Sequence, residues 1–227
     1  MSAYDSTRFR IDAGVSQETA ERLLTHERLL AAWAPRINLI GPGELEHYWR
    51  RHALDSAQLL RHAPANANLW LDLGSGAGFP GLVVAVCLAE RGEGVRVDLV
   101  EQNAKRAAFL REAVRETGAP ARVLHQKLEA LSPGNPEQSY DVCTARALAP
   151  LKRLILSAKP WLDRGAVGLF PKGADYASEL AEAGFAPVGG ASGLPEFEGL
   201  TADVLESLSD PRARIVRIRR TGELREE

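Results

Sequence analysis

Cysteine is scarce in this chain of 227 residues: Cys87 and Cys143 stand alone, too few for a disulfide scaffold and without metal-ligand spacing. A reducing cytoplasmic setting with no bound metal is therefore expected. Long apolar runs are also lacking. The longest, Leu82–Ala89, is less than half of a membrane span of about 20 residues. No basic stretch followed by an apolar run opens the chain, so a secretory leader is not expected. Net charge is nearly absent, with 28 Lys and Arg against 30 Asp and Glu, which excludes an obligately basic nucleic-acid packager. The chain shows no internal repeat and no low-complexity segment. What remains is an ordinary globular mixture, 45% hydrophobic and 26% charged, so disorder is excluded. The length fits one α/β domain with an appendage, and a monomer is the plain expectation.

The neutral total conceals a polarised chain. Gln102–Lys127 has six cations against two acids, and Tyr140–Gly173 repeats that balance. Ala174–Pro211 carries eight acids and no Lys or Arg. Such asymmetry points to an anionic partner on one face, or to solvated helix faces.

The first 65 residues read as a helical extension. Ser16 is a candidate N-cap for a helix that reaches Ala34 and stops at Pro35, and a second helix is expected over Glu44–Arg61. Ala63–Asn68 reads as a linker. Over residues 66–227 short apolar runs alternate with helical patterns. Strands are expected at Leu69–Leu73, Val95–Val100, Ala121–His125, Tyr140–Ala145 and Ala166–Phe170, with a late one at Arg214–Ile218. Helices are expected at Pro80–Ala89 (Pro80 in the first helical position), Ala104–Thr117, Pro150–Trp161 and Asp175–Ala183, and a loop at Ser132–Ser139. This alternation implies a Rossmann-like parallel sheet with its site at the carboxyl ends of the strands.

One loop carries the chemistry. Leu71-Asp72-Leu73-Gly74-Ser75-Gly76-Ala77-Gly78-Phe79-Pro80-Gly81 places alternating glycines between a strand and a helix. The dinucleotide fingerprint wants glycine at its sixth position, where Phe79 stands, so a nicotinamide oxidoreductase is disfavoured. An acid two residues before G-x-G-x-G is the form typical of S-adenosylmethionine (SAM) sites, and Asp72 suits a ligand with a sulfonium and an amino-acid end. Glu101, closing the next strand, can accept from both ribose hydroxyls. After the third strand, the backbone amides of Leu128 and Glu129 are placed to read the adenine edge.

With these residues the chain resembles the RsmG ribosomal RNA methyltransferases, formerly called glucose-inhibited division protein B. The resemblance rests on Leu71–Gly81, on Trp33 with Asn38-Leu39-Ile40, and on Arg51-His52-Ala53-Leu54-Asp55-Ser56. It continues through Lys105-Arg106 with Phe109-Leu110, Thr144-Ala145-Arg146-Ala147 and Pro171-Lys172-Gly173. Ala145 departs from the serine usual there. The resemblance implies a class I SAM-dependent methyltransferase fold and methylation of a guanine N7 in 16S rRNA, on naked rRNA or the 30S subunit. It implies SAM contacts at Gly74, Phe79, Leu128, Glu129 and Arg146, with Glu101 at the ribose; Gly76, Gly78 and Asp72 complete the cofactor loop.

Guanine N7 offers an in-plane lone pair and no proton, so no general base is expected and orientation carries the reaction. Arg146, at the end of a central strand, is the residue expected to position cofactor or phosphate. Arg51, His52, Lys105, Arg106 and Lys172 are candidates for RNA contact, and His52 and Asp55, one helical turn apart, could brace each other. Cys143 reads as a buried thiol, not a nucleophile, and Cys87 as core. The competing readings are methylation of a small molecule or protein, and a non-catalytic SAM-binding protein of the ribosome.

Overall fold

A computed structural model describes residues 4–133, 135 and 138–222. Of the loop expected at Ser132–Ser139, residues 134, 136 and 137 lie outside the described residues.

The strands are β1 (Leu69–Leu73), β2 (Arg96–Val100), β3 (Ala121–Leu124), β4 (Val142–Thr144), β5 (Val167–Lys172), β6 (Gly189–Ala191), β7 (Leu200–Glu206) and β8 (Arg214–Arg220). They form one sheet in the order β3-β2-β1-β4-β5-β8-β7-β6. The first five are parallel; β8 pairs antiparallel with β5, then β7 with β8 and β6 with β7. Strand order reverses between β1 and β4, the switch point where an open α/β sheet leaves a crevice.

The central strands are apolar on both faces because both are covered. Along β1, Trp70 enters the core under the N-terminal helices, while Leu71 and Leu73 face the opposite core. Helix α4 (Gly81–Leu88) is buried at every position, which accounts for its uninterrupted hydrophobic run. Its start differs from expectation: Pro80 stands just before the first helical residue, so Gly81 opens the helix. Helix α5 (Ala104–Thr117) is capped by Asn103 and ends at Gly118 with φ 61°, and α6 (Leu151–Leu162) and α7 (Tyr176–Glu182) cover the second face.

Before the sheet, α1 (Ser6–Ala13) and α2 (Gln17–Trp33) precede an irregular helical run. Ser16 caps α2 by accepting from the Thr19 amide at 3.1 Å. Phe9, Leu23, Leu30 and Tyr48 share one core with Trp70 and α4, so the extension packs on the sheet's own helices. The single helix expected over Glu44–Arg61 is instead a succession: a 3₁₀ turn (Glu44–His47), a π-helical stretch (Tyr48–Leu54), α3 (Asp55–Ala57) and another 3₁₀ turn (Gln58–Arg61). Wide π turns concentrate at functional sites, and this one carries Arg51 and His52.

Part of the sequence polarity cancels on folding. Lys152 pairs with Glu196 at 3.0 Å, Lys172 with Glu179 at 2.5 Å, and Asp203 with Arg217 and Arg219 at 3.0 Å each. The acidic segment therefore faces the chain's own cations at these points.

Candidate active site

The glycine loop follows β1 because the chain must reverse out of the sheet. Gly74, Gly76 and Gly78 have φ of 71°, 53° and 92°, the left-handed region that side chains resist. The turn is held from several directions. Ser75 N donates to Val100 O at 2.9 Å and Gly76 N to Glu101 Oε2 at 3.0 Å, both at the end of β2. From below, His26 Nε2 lies 2.9 Å from Ala77 O. Burial of His26 pushes its pKa down to about 4. A side chain at Gly81 is excluded by space: its Cβ would lie 2.5 Å from both Asp72 Oδ2 and Leu99 Cδ2.

Asp72 sits behind this loop, fully buried. Its Oδ2 accepts from Gly81 N at 3.2 Å while Oδ1 has no partner. Burial drives its carboxyl up to about 7, against the opposing pull of hydrogen bonds and Arg146.

In front of the loop opens a cleft of about 950 Å³. Gly74, Gly76 and Phe79 form one wall, Arg51, His52 and Asp55 another, and Arg146–Pro150 a third; Arg106, Lys172 and the Ser209–Asp210 turn complete it. Glu101, Leu128 and Glu129 are not in its lining; they stand past the ends of β2 and β3, in line with Gly74 across the carboxyl edge of the sheet. Glu101 is buried, and its other oxygen accepts from Asn103 N at 2.7 Å. Leu128 and Glu129 open a 3₁₀ turn, with Glu129 exposed.

Arg146 organises the cleft. Its Nη1 donates to Arg51 O at 2.9 Å and to Asp55 Oδ2 at 3.2 Å, and its Nη2 lies 2.7 Å from His52 Nδ1. The guanidinium lies over Phe79, 5.0 Å from the ring centroid, and the His52 ring stacks on Phe79 at 4.7 Å and 23°. Because arginine only donates, His52 Nδ1 must accept, so the imidazole is neutral with its proton on Nε2. Burial first, then the Arg146 and Arg51 charges, lower the His52 pKa to about 3. Nε2 lies 3.2 Å from Glu44 Oε2, out of line for a hydrogen bond. The expected bracing of His52 by Asp55 takes another form: both hold Arg146. Ala147, next along, has φ 53°, the single non-glycine positive φ among the described residues. Strain of this kind gathers at functional sites.

The other cations divide. Lys172, expected to meet phosphate, is turned inward: its side chain is 9% exposed, paired with Glu179, and it donates to Ala149 O at 3.2 Å. Arg106 ties α5 to Asn38 O through Nε at 3.2 Å and Nη2 at 2.9 Å. Lys105 is exposed beside a smaller recess of about 360 Å³ shared with Arg36 and Arg106. Arg51 is exposed and pairs with Glu44 at 3.0 Å. Cys87 and Cys143 are fully enclosed, and burial pushes both thiols up, Cys87 to about 12, so neither is a nucleophile. Sequence reasoning missed Glu44, Glu179 and Ser209, whose only signal is spatial. Among the described residues no cluster of His, Cys, Asp or Glu suits a metal ion, and no helix is long and apolar enough to cross a membrane.

Known proteins are similar to this chain in fold and in sequence. Solved structures of similar fold include cofactor-bound Rv0187 from MTB (TM-score 0.59, 15% identity, covering 87% of this chain and 88% of that one). A mutant of MtNAS in complex with S-adenosylmethionine also aligns (TM-score 0.51, 16% identity, 96% and 85% covered). These likenesses show a Rossmann-like fold. Sequence relatives are far nearer. Ribosomal RNA small subunit methyltransferase G of Methylobacterium radiotolerans is 46% identical over 96% of each chain, and that of a Bradyrhizobium strain is 51% identical over 74% of each. The family model described as rRNA small subunit methyltransferase G matches residues 19–188, from α2 through the glycine loop and Arg146 to the end of α7 and just beyond. With that span matched and relatives identical at nearly half their positions, the chain belongs to the rRNA small subunit methyltransferase G family.

Proposed function

We propose that the protein transfers a methyl group from SAM to the N7 of a guanine in 16S rRNA, acting in the cytoplasm as a monomer without a metal, on rRNA or the 30S subunit. The observation that carries this reading is the glycine loop at the end of β1, opening onto a cleft across which Arg146 is pinned on Phe79.

The residues fit an adenosyl ligand. Gly74 and Gly76 present bare backbone to the cleft, and Asp72 Oδ1 is a buried oxygen without a partner behind the same loop. A cationic ligand that carries a ribose suits two acids placed so. Gly74, Gly76, Gly78 and Phe79 would hold the cofactor, with Glu101 at the ribose, Leu128 and Glu129 at the adenine, and Asp72 supporting the loop from behind. When bound, SAM supplies a methyl group on a positively charged sulfur.

The chain's own residues then orient and enclose. N7 has no proton to remove, and none is asked of His52, whose Nδ1 is engaged with Arg146 and which stays neutral. Arg146 has three partners on the irregular helical run and one aromatic face beneath it, so its unused N–H groups point in a fixed direction. Holding such groups in register is worth on the order of 7–11 kcal/mol in favourable cases. Arg51, Lys105 and Arg106 form the rim that meets RNA phosphates. Lys172, ion-paired with Glu179, shapes the far wall of the cleft.

Calorimetry with SAM is expected to show one saturable site, weakened at least tenfold in Glu101→Ala. Incubation with labelled SAM and rRNA from a strain lacking the gene is expected to yield labelled 7-methylguanosine on nucleoside analysis, and Arg146→Ala to reduce it. RNA binding should weaken with salt at roughly 0.7–0.9 log units per phosphate neutralised and per log unit of salt. Label in any other nucleoside, or none at all, refutes the reading.

A further inference from the structure

We propose that Ser209, on the turn between β7 and β8, is a positioning residue that fixes Arg146 through Asp55. The inference rests on the reading that Arg146 serves a ligand in the cleft, and it concerns a residue outside the 19–188 span of the family model.

The two oxygens of Asp55 are divided between two parts of the chain. Oδ2 faces Arg146 Nη1 at 3.2 Å. Oδ1 accepts from Ser209 Oγ at 2.6 Å and from Gln58 Nε2 at 3.0 Å. The carboxylate side chain is 14% exposed, so water competes weakly for it. A serine hydroxyl has one proton, and at 2.6 Å from a carboxylate it is donated to Asp55 Oδ1. Ser207 Oγ, 2.9 Å from Ser209 Oγ, must then donate to it. Donation thus runs from Ser207 to Ser209 to Asp55, and the Asp55 carboxylate accepts from Arg146 on its other oxygen.

The turn itself is clamped independently. Leu208 N donates to Gln58 Oε1 at 2.7 Å, Gln58 Nε2 reaches Ser207 Oγ at 3.1 Å, and Arg50 Nε donates to Ser209 O at 3.0 Å. Gln58 is fully buried, so the clasp has little freedom. These bonds place the hydroxyl without needing it, which means the hydroxyl can be removed while the turn stays seated. What is lost is the shortest restraint on Asp55. Held on Oδ1 by Gln58 Nε2 alone, the carboxylate rotates more widely, and Arg51 O, His52 and the Phe79 face are left to set the guanidinium angle more loosely. Small displacements of a positioning group cost large factors in rate.

The test uses Ser209→Ala and Ser209→Thr in the full chain, with Tm as a fold control. SAM affinity by calorimetry and the rRNA methylation rate are expected to fall three- to tenfold in Ser209→Ala and to return within twofold of the parent in Ser209→Thr. In an Arg146→Ala background, Ser209→Ala is expected to add less than a further twofold, because the relay has no endpoint. A merely structural serine would lower both backgrounds equally. Asp55→Asn, which keeps the shape and removes the charge, is expected to match Ser209→Ala and to make it silent. In the ligand-free protein, rotation of the Arg146 guanidinium, read from its Nη proton signals, is expected to speed up in Ser209→Ala. Equal losses in both backgrounds, or unchanged guanidinium rotation, overturn the proposal. A parent protein that binds no SAM but shows the rotational change would instead overturn the reading of the cleft.

Discussion

Replacing Asp72 with asparagine removes one titrating group from behind the glycine loop and leaves the Gly81 amide an acceptor. Asp72 is fully buried, and its carboxyl stands at about 7 against an ordinary 3.8. Between those two values the folded protein keeps a proton that the unfolded chain releases, so stability falls as pH rises across the window. Its slope is about 1.36 kcal/mol per pH step, and the full gap corresponds to roughly 4 kcal/mol. His26 and His52 act in the opposite sense. They stay neutral in the fold down to about 4 and about 3, so the stability they confer is present above 6.5 and is lost as pH falls. The parent curve mixes these trends, whereas its difference from Asp72→Asn isolates the carboxyl. Urea melts at intervals from pH 5 to 8 are expected to show the parent losing about 2–3 kcal/mol relative to Asp72→Asn between pH 5 and 7. Above pH 7.5 the difference should level off. A difference that is flat from pH 5 to 8 would mean that Asp72 ionises freely, and that the buried site behind the loop is wrongly described.

Two further substitutions probe the same corner. Gly81→Ala forces a Cβ to 2.5 Å from two fully buried atoms, Asp72 Oδ2 and Leu99 Cδ2. A loss of about 2–3 kcal/mol and a Tm lower by about 4–10 °C are expected, with SAM binding abolished; retention of the parent Tm would refute the contact. Ala147→Gly relieves a left-handed alanine at φ 53°. The strain released, about 1–2 kcal/mol, exceeds the 0.5–1 kcal/mol that glycine costs by loosening the unfolded chain. A modest gain of stability in urea is expected, and a loss greater than 1 kcal/mol would contradict it.

Legibility in the sequence follows the range of the interaction. Strands buried on both faces announce themselves as apolar runs, and the glycine loop does so because backbone geometry leaves no other residue. The place of Glu101 was readable too, since it follows a strand whose neighbour ends in the loop, but its bond to Gly76 was not. Strand β7 was not readable. Its Asp203 looks like a turn residue until Arg217, its cross-strand neighbour, and Arg219 are placed beside it. The π-helical stretch at Tyr48–Leu54 escapes a periodicity of 3.6, since a wider turn shifts each later side chain out of phase.

The charge pattern misled where the fold, and not the local sequence, pairs opposite charges. Lys172 and Lys152 belong to a segment that reads as a basic face, yet both meet acids from Ala174–Pro211. Arg146 shows why this matters for function. Burying an arginine at a strand end is tolerable only if charge and hydrogen bonds meet it, so its position alone demanded a partner, though not which one. The fold answers with Asp55, His52 and the Arg51 carbonyl, more than ninety residues upstream. It then secures Asp55 from Ser209, another 154 residues downstream. The cleft proposed for methyl transfer is therefore completed by segments that precede and follow the parallel strands in sequence. Substitutions in the β7–β8 turn should consequently register in the cleft before they register in the stability of the sheet.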